Sequence, residues 1–128
     1  MTREEAQTAI DAVMAEWERL TCWGFSNPED NDFAKARAAL RSEGVSYFIR
    51  AAEWLRHIPR RETVSLGSYW LKHQAEWWSG KYVSNGALIA AAIHLGFRVE
   101  PISGSPNALI GVAGRSKWPP GFYTTEAA

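Results

Sequence analysis

The ten residues Gly86–Leu95, GALIAAAIHL, constrain this chain more than any other stretch. Apart from His94 they are apolar all the way round a helix, and such a helix persists in water only when it is surrounded. The remainder of the chain must therefore supply walls on every side. Ser84 or Asn85 serves as the cap, Gly96 falls where a left-handed C-terminal residue belongs, and Phe97 takes the hydrophobic contact that accompanies it. At 128 residues the chain is long enough to bury one core without staples. The single cysteine, Cys22, excludes an intramolecular disulfide and any multi-cysteine zinc site. The apolar run from Ala87 to Phe97 falls well short of the roughly 20 residues that span a bilayer. The acidic, amphipathic start MTREEAQTAID is not a secretory signal. These features predict one soluble, cytoplasmic domain over residues 1–128 with no membrane partner.

Four further helices are predicted as walls. Thr2 and Glu5 form a capping box, after which Ala6, Ile10, Val13, Met14, Trp17 and Leu20 recur at helical spacing until Gly24. Asn27-Pro28-Glu29-Asp30 places a cap, a proline and two acids in helix-opening order, so a second helix starts near residue 28 and runs to Gly44. A third carries Val45, Phe48, Ile49, Ala52 and Leu55 on one face and ends before Pro59. The fourth spans Leu66 to Ser79, capped by Thr63 or Ser65 and closed by Gly80. Leu66, Tyr69, Trp70, His73 and Trp77 share one of its faces, and Leu71, Ala75 and Trp78 another. Lys81-Tyr82-Val83, Phe97–Glu100 and Ala108–Ala113 read as short strands, the last two joined by the turn Ser103–Asn107. The tail from Gly114 reads as irregular. The predicted fold is α+β: mainly helical, about five helices, with a small C-terminal sheet of two or three strands.

Little in the sequence points to catalysis. Cys22 lies at the end of the first predicted helix, where the dipole disfavours a thiolate, and no acid–histidine pattern surrounds it. His73 and Glu76 share a helical face, but carboxylate-bridged metal sites use the order Glu-x-x-His in several copies, and this order is reversed and single. Gly111-Val112-Ala113-Gly114 has the outline of a GxxG nucleic-acid clamp, yet it follows a strand and holds no basic residue. No metal, cofactor or catalytic residue is therefore predicted, and an enzyme is the third-ranked reading.

Binding is better supported. The net charge of zero hides a dipole: residues 1–32 carry −6 and the remainder +6. Seven tryptophans in one small domain predict an aromatic-rich surface. The leading reading is a non-enzymatic binding or regulatory module that engages a protein partner or a second copy of itself. Trp78, adjacent to Trp77, is its expected anchor. The runner-up is nucleic-acid binding by a winged-helix-like arrangement of the fourth and fifth helices and the hairpin, with Arg56, Arg60 and Arg61 on a basic face. Its would-be recognition helix offers base edges only Ser84, Asn85 and His94.

The series SYWLKHQAE, YVSNGALIAAAIHLGF and SPNALIGV, within residues 68–112, resembles short uncharacterised proteins encoded on phages, plasmids and integron cassettes. The resemblance implies a mobile-element accessory and a shared constellation including Tyr69, Lys72, His73, Asn85 and Asn107, without an activity. Lys72, Asn85 and Asn107 are expected to line a common cleft. The candidate binding set is Lys72, His73, Glu76, Trp78, Asn85 and Asn107. A deep polar pocket holding His73, Glu76, Asn85 and Asn107 would shift the balance towards catalysis or a small ligand.

Overall fold

The computed structural model describes residues 1–124, and the fold is α+β: five helices with two small antiparallel sheets. The central helix, α5 (Asn85–His94), buries every residue from Asn85 to Ala92. Ser84 caps it, its hydroxyl accepting from the Ala87 amide at 3.2 Å. At the other end Gly96 adopts φ +86°, and the Phe97 and Gly96 amides donate to the Ala92 and Ile93 carbonyls at 2.9 and 3.1 Å. That pair of bonds is a Schellman motif, which satisfies the carbonyls a helix end leaves open.

The walls are α1 (Arg3–Glu16), α3 (Gly44–Leu55) and α4 (Ser68–Ser79), all packed on α5. α3 presents Val45, Phe48, Ala52 and Leu55 as its spacing predicts, and buries Trp54 as well. The floor is a three-stranded sheet of β3 (Leu66–Gly67), β4 (Val99–Pro101) and β5 (Ala108–Ile110) in the order β3-β5-β4. Leu66 and Val99 both pair with Ile110.

Four local expectations are corrected. The first helix does not run to Gly24 but ends at Glu16, and the chain turns into a hairpin of β1 (Leu20–Thr21) and β2 (Gly24–Phe25). The cause lies in α2 (Phe33–Arg41): its Arg37 guanidinium gathers the carbonyls of Met14, Trp17, Glu18 and Leu20 at 2.7–3.1 Å. One side chain thus caps the helix and fixes the exit of the chain. The second helix starts at Phe33 rather than near 28, because the Asn27 carboxamide accepts from the Glu29 amide at 3.0 Å and closes a turn instead of capping a helix. The third strand is Leu66–Gly67, not Lys81–Val83, so α4 begins at Ser68 with Gly67 at its cap. Arg50 takes the Tyr82 carbonyl (2.9 Å) and Glu76 the Val83 amide (3.1 Å), leaving the 81–83 segment outside any ladder.

The last correction concerns α4. It buries Ser68, Leu71, Lys72, Gln74 and Ala75, while Tyr69, His73 and Trp77 face solvent. Trp78 is partly buried, stacked on Phe122 with centroids 5.3 Å apart, and Trp54 donates to the Phe122 carbonyl at 2.8 Å. The tail, expected to be irregular, therefore covers the tryptophan chosen as an anchor. Trp77 is the exposed member of the pair, at 52%. No helix among the described residues is long and apolar enough to cross a membrane.

Candidate functional site

Three segments distant in sequence meet at the N-terminus of α5, and backbone hydrogen bonds join them. The Gly86 amide donates to the Cys22 carbonyl at 3.0 Å, tying the helix to the tip of the β1–β2 hairpin. The Phe25 amide donates to the Pro106 carbonyl at 2.9 Å, tying the hairpin to the turn before β5. The Asn85 amide nitrogen reaches both neighbours, donating to the Trp23 carbonyl at 2.9 Å and to Asn107 Oδ1 at 3.0 Å. Thr21, fully buried, completes the frame: its hydroxyl accepts from the Trp23 amide at 3.1 Å and donates to the Gly24 carbonyl at 3.0 Å. Trp23 is thereby held at the hairpin tip with its side chain 58% exposed.

Between this junction and α4 lies a cleft of about 440 Å³. Lys72, Asn85 and Asn107 line it together, as do Trp23, Tyr69, Tyr82, Cys22 and Pro106. Two of the three aromatic rims hold the lysine: the Lys72 ammonium lies 5.4 Å from the Tyr69 ring centroid and 4.9 Å from that of Tyr82. Tyr82 is in turn braced edge-on by Tyr47 at 5.0 Å. Cations over aromatic faces are attracted by the ring quadrupole, which offsets part of the cost of burying an ammonium on a residue only 5% exposed.

Glu76 is the counter-charge. Its carboxylate accepts from Lys72 Nζ at 3.0 Å, from the Val83 amide at 3.1 Å, and pairs with His73 Nδ1 at 2.9 Å. Burial opposes its ionisation, but the Val83 and Lys72 hydrogen bonds, the Lys72 charge and the His73 contact outweigh burial and hold the carboxyl below its ordinary 4.5. A carboxyl whose pKa is depressed by folding stabilises the fold above its unfolded pKa and loses that contribution as pH falls through the folded value. Glu76→Gln should therefore cost about 2 kcal/mol at pH 7. The gap from wild type should shrink as the pH is lowered from 4.5 downward, read from urea midpoints across that range. A gap that stays constant down to pH 2.5 would show that the charge contributes nothing.

Two polar groups of the cleft residues lack hydrogen-bond partners among the described residues, and one of them is buried. The carbonyls of Trp23 and Pro106 and Oδ1 of Asn107 all face Asn85 Nδ2, which fixes the orientation of that amide and leaves its Oδ1 buried without a hydrogen bond among the described residues. Asn107 Oδ1 is occupied by Asn85, so its own Nδ2 is left over. Lys72 Nζ, with three protons, makes one hydrogen bond.

His73 is half exposed and lies outside the cleft, edge-on to Tyr69 at 4.6 Å. Glu76 backs the cleft through Lys72 rather than lining it. The expected set is thus divided: Lys72, Asn85 and Asn107 come together, Glu76 and His73 stand behind them, and Trp78 is elsewhere. Trp23 and Tyr82 belong to the site although sequence reasoning did not choose them; Cys22-Trp23 is a two-residue turn, and an aromatic at such a tip is bound to project. Among the described residues no group of three or more His, Cys, Asp or Glu could hold a metal ion.

The arginines expected to form a basic face are partly used within the fold. Arg60 donates to the Leu95 carbonyl at 3.1 Å at the end of α5, and Arg61 bonds Thr63 and Ser65 of its own loop at 3.2 and 2.7 Å. Arg56 is exposed. Comparison with known protein families, curated proteins and solved structures gives no match, so the reading of the cleft rests on its own geometry.

Proposed function

We propose that this chain is a non-enzymatic binding module that docks a protein partner in the cleft at the N-terminus of α5. The observation that carries the reading is a convergence: Trp23, Tyr69 and Tyr82, each more than half exposed, ring one cavity. Exposed aromatics scattered singly need no explanation, but aromatic anchors gathered around a pocket are what binding hot spots are made of. The cavity, about 440 Å³, lies in the range of roughly 300–1,000 Å³ typical of ligand sites, and its lining is aromatic with a few polar groups. An accessory role on a mobile element is part of the same proposal.

The other readings have less support. α5, which would have to enter a DNA groove, is buried from Asn85 to Ala92. For catalysis, the imidazole of His73 does not line the cleft, and burial raises the Cys22 thiol above its usual range, Glu43 adding to the shift. A pool of short peptides, titrated against labelled protein by heteronuclear NMR, tests the proposal. The amides of Trp23, Tyr69, Tyr82 and Asn107 should shift first, and Trp23→Ala should weaken the effect by about tenfold, the loss expected of one aromatic hot spot. Shifts confined to Trp77 or to Arg56–Arg61 would place the binding surface elsewhere.

A further inference from the structure

The cleft is not isolated. Trp23 and Pro106 also line a second, larger depression of about 930 Å³, running between the end of α1, the β1–β2 hairpin and the β4–β5 turn. The two cavities therefore share Trp23 and Pro106 as a common wall and adjoin across it. Their charges differ in sign. The larger groove is bordered by Glu16, Glu18 and Asp30 against one cation, Arg19, whose Nε donates to the Ser26 carbonyl at 3.0 Å; none of the three acids forms an ion pair within 4 Å among the described residues. The smaller cleft carries two donors, the Lys72 ammonium and Asn107 Nδ2, the latter with no hydrogen-bond partner among the described residues.

We propose that the two adjoining depressions bind the free carboxyl end of a partner polypeptide, with the terminal carboxylate on Lys72 and Asn107 and basic residues upstream crossing the Trp23–Pro106 wall to lie over Glu16, Glu18 and Asp30. This rests on the reading of the cleft as a docking site for proteins and names which part of the partner enters it. A carboxylate accepts and does not donate, so it matches the two donors left over on the cleft. The last side chain is apolar or aromatic, because its neighbours are Trp23, Tyr69 and Tyr82. A small free acid would satisfy the cleft alone; the adjoining groove and its unpaired acids favour a chain that continues past the wall.

The test uses the full chain and two libraries of random heptapeptides, one displayed with free carboxyl ends and one with the same peptides held internally. Enrichment is expected from the free-ended library, with aromatic or aliphatic last residues and Lys or Arg further back. The best synthetic peptide should lose about tenfold or more in affinity when its end is amidated, the loss typical of a hydrogen-bonded charge. Lys72→Met should reduce the free acid to the level of the amide and leave the amide unchanged. Asn107→Asp keeps an acceptor for Asn85 and replaces the free donor by an anion, so it should do the same without touching the core. Equal enrichment from both libraries, with binding lost in Trp23→Ala, would keep the docking cleft and overturn the carboxyl-end inference. No enrichment, with benzoate alone shifting the Lys72 and Asn107 signals, would reassign the cleft to a small acid and overturn it too. Binding from either library that ignores Trp23→Ala would sink the docking site itself.

Discussion

Ala91→Glu and Ala92→Glu should each abolish the cooperatively folded domain. Both alanines are fully buried in a helix enclosed by α1, α3 and α4, with the strands across its remaining side. Moving a carboxylate into such a site costs several kcal/mol per ion even after relaxation, and a domain of this kind has only about 5–15 kcal/mol to lose. Protonation offers no free escape at pH 7, since keeping a glutamate neutral about 2.7 units above its ordinary pKa costs roughly 3.7 kcal/mol. The added volume compounds the charge: α1, α3 and α4 all close on α5 and both alanines have no exposed surface, so a longer side chain must displace packed neighbours. Far-UV circular dichroism on heating and proton NMR dispersion measure the outcome. Either variant melting cooperatively near the wild-type temperature would mean that α5 is not the centre of the fold.

The helix behind that prediction was legible because its signal is local and redundant. GALIAAAIHL has one stable environment, and Ser84, Gly96 and Phe97 mark its ends by chemistry that acts within a few residues. The capping box at Thr2 and Glu5 is of the same kind, and both of its hydrogen bonds are formed, at 2.8 and 3.0 Å. What the sequence concealed depends on partners far along the chain. Leu20 sits at helical spacing from Met14 and Trp17 and is buried, yet it is buried from a strand, because Arg37 ends the helix from across the molecule. Leu66 and Gly67 carry no strand pattern of their own and become a strand only through β5. On α4 two apolar faces were expected, one of Leu66, Tyr69, Trp70, His73 and Trp77 and one of Leu71, Ala75 and Trp78, and neither included Lys72. The structure buries Leu71 and Ala75 of the second face and Lys72 beside them, since Glu76 and two tyrosine rings compensate the lysine's charge. The site was half legible for the same reason. Lys72, Asn85 and Asn107 were expected in one cleft, whereas the aromatic rim could not be chosen without knowing where the hairpin places Trp23.

Gly86→Ala, a conservative change, should be strongly destabilising. In an unobstructed helix this substitution stabilises by up to about 1 kcal/mol, because alanine has the higher helix propensity. Here a Cβ on Gly86 would run into the Thr21 carbonyl oxygen and come within 2.8 Å of the Thr21 and Cys22 carbonyl carbons. These atoms are backbone, so no side chain can rotate away. Relief requires the β1–β2 hairpin to move off α5, which breaks the bond from the Gly86 amide to the Cys22 carbonyl and the one from Asn85 to the Trp23 carbonyl. The expected net cost is about 3 kcal/mol, the sum of overpacking and the separated hydrogen bonds less the gain in propensity. Gly114→Ala is the matched control: its φ is −61°, and an added Cβ there meets nothing within 4 Å, so stability should change by less than about 1 kcal/mol. The two substitutions also separate stability from site assembly. α1 and α3 pack directly on α5, so a Gly86→Ala protein that still folds should keep most of their amide signals while those of Trp23 and Phe25 move. It should also lose peptide binding, since the carbonyl that orients Asn85 leaves with the hairpin. A Gly86→Ala protein as stable as the wild type, with Trp23 and Phe25 undisturbed, would show that hairpin and helix do not meet at this glycine and that the cleft is not built as described.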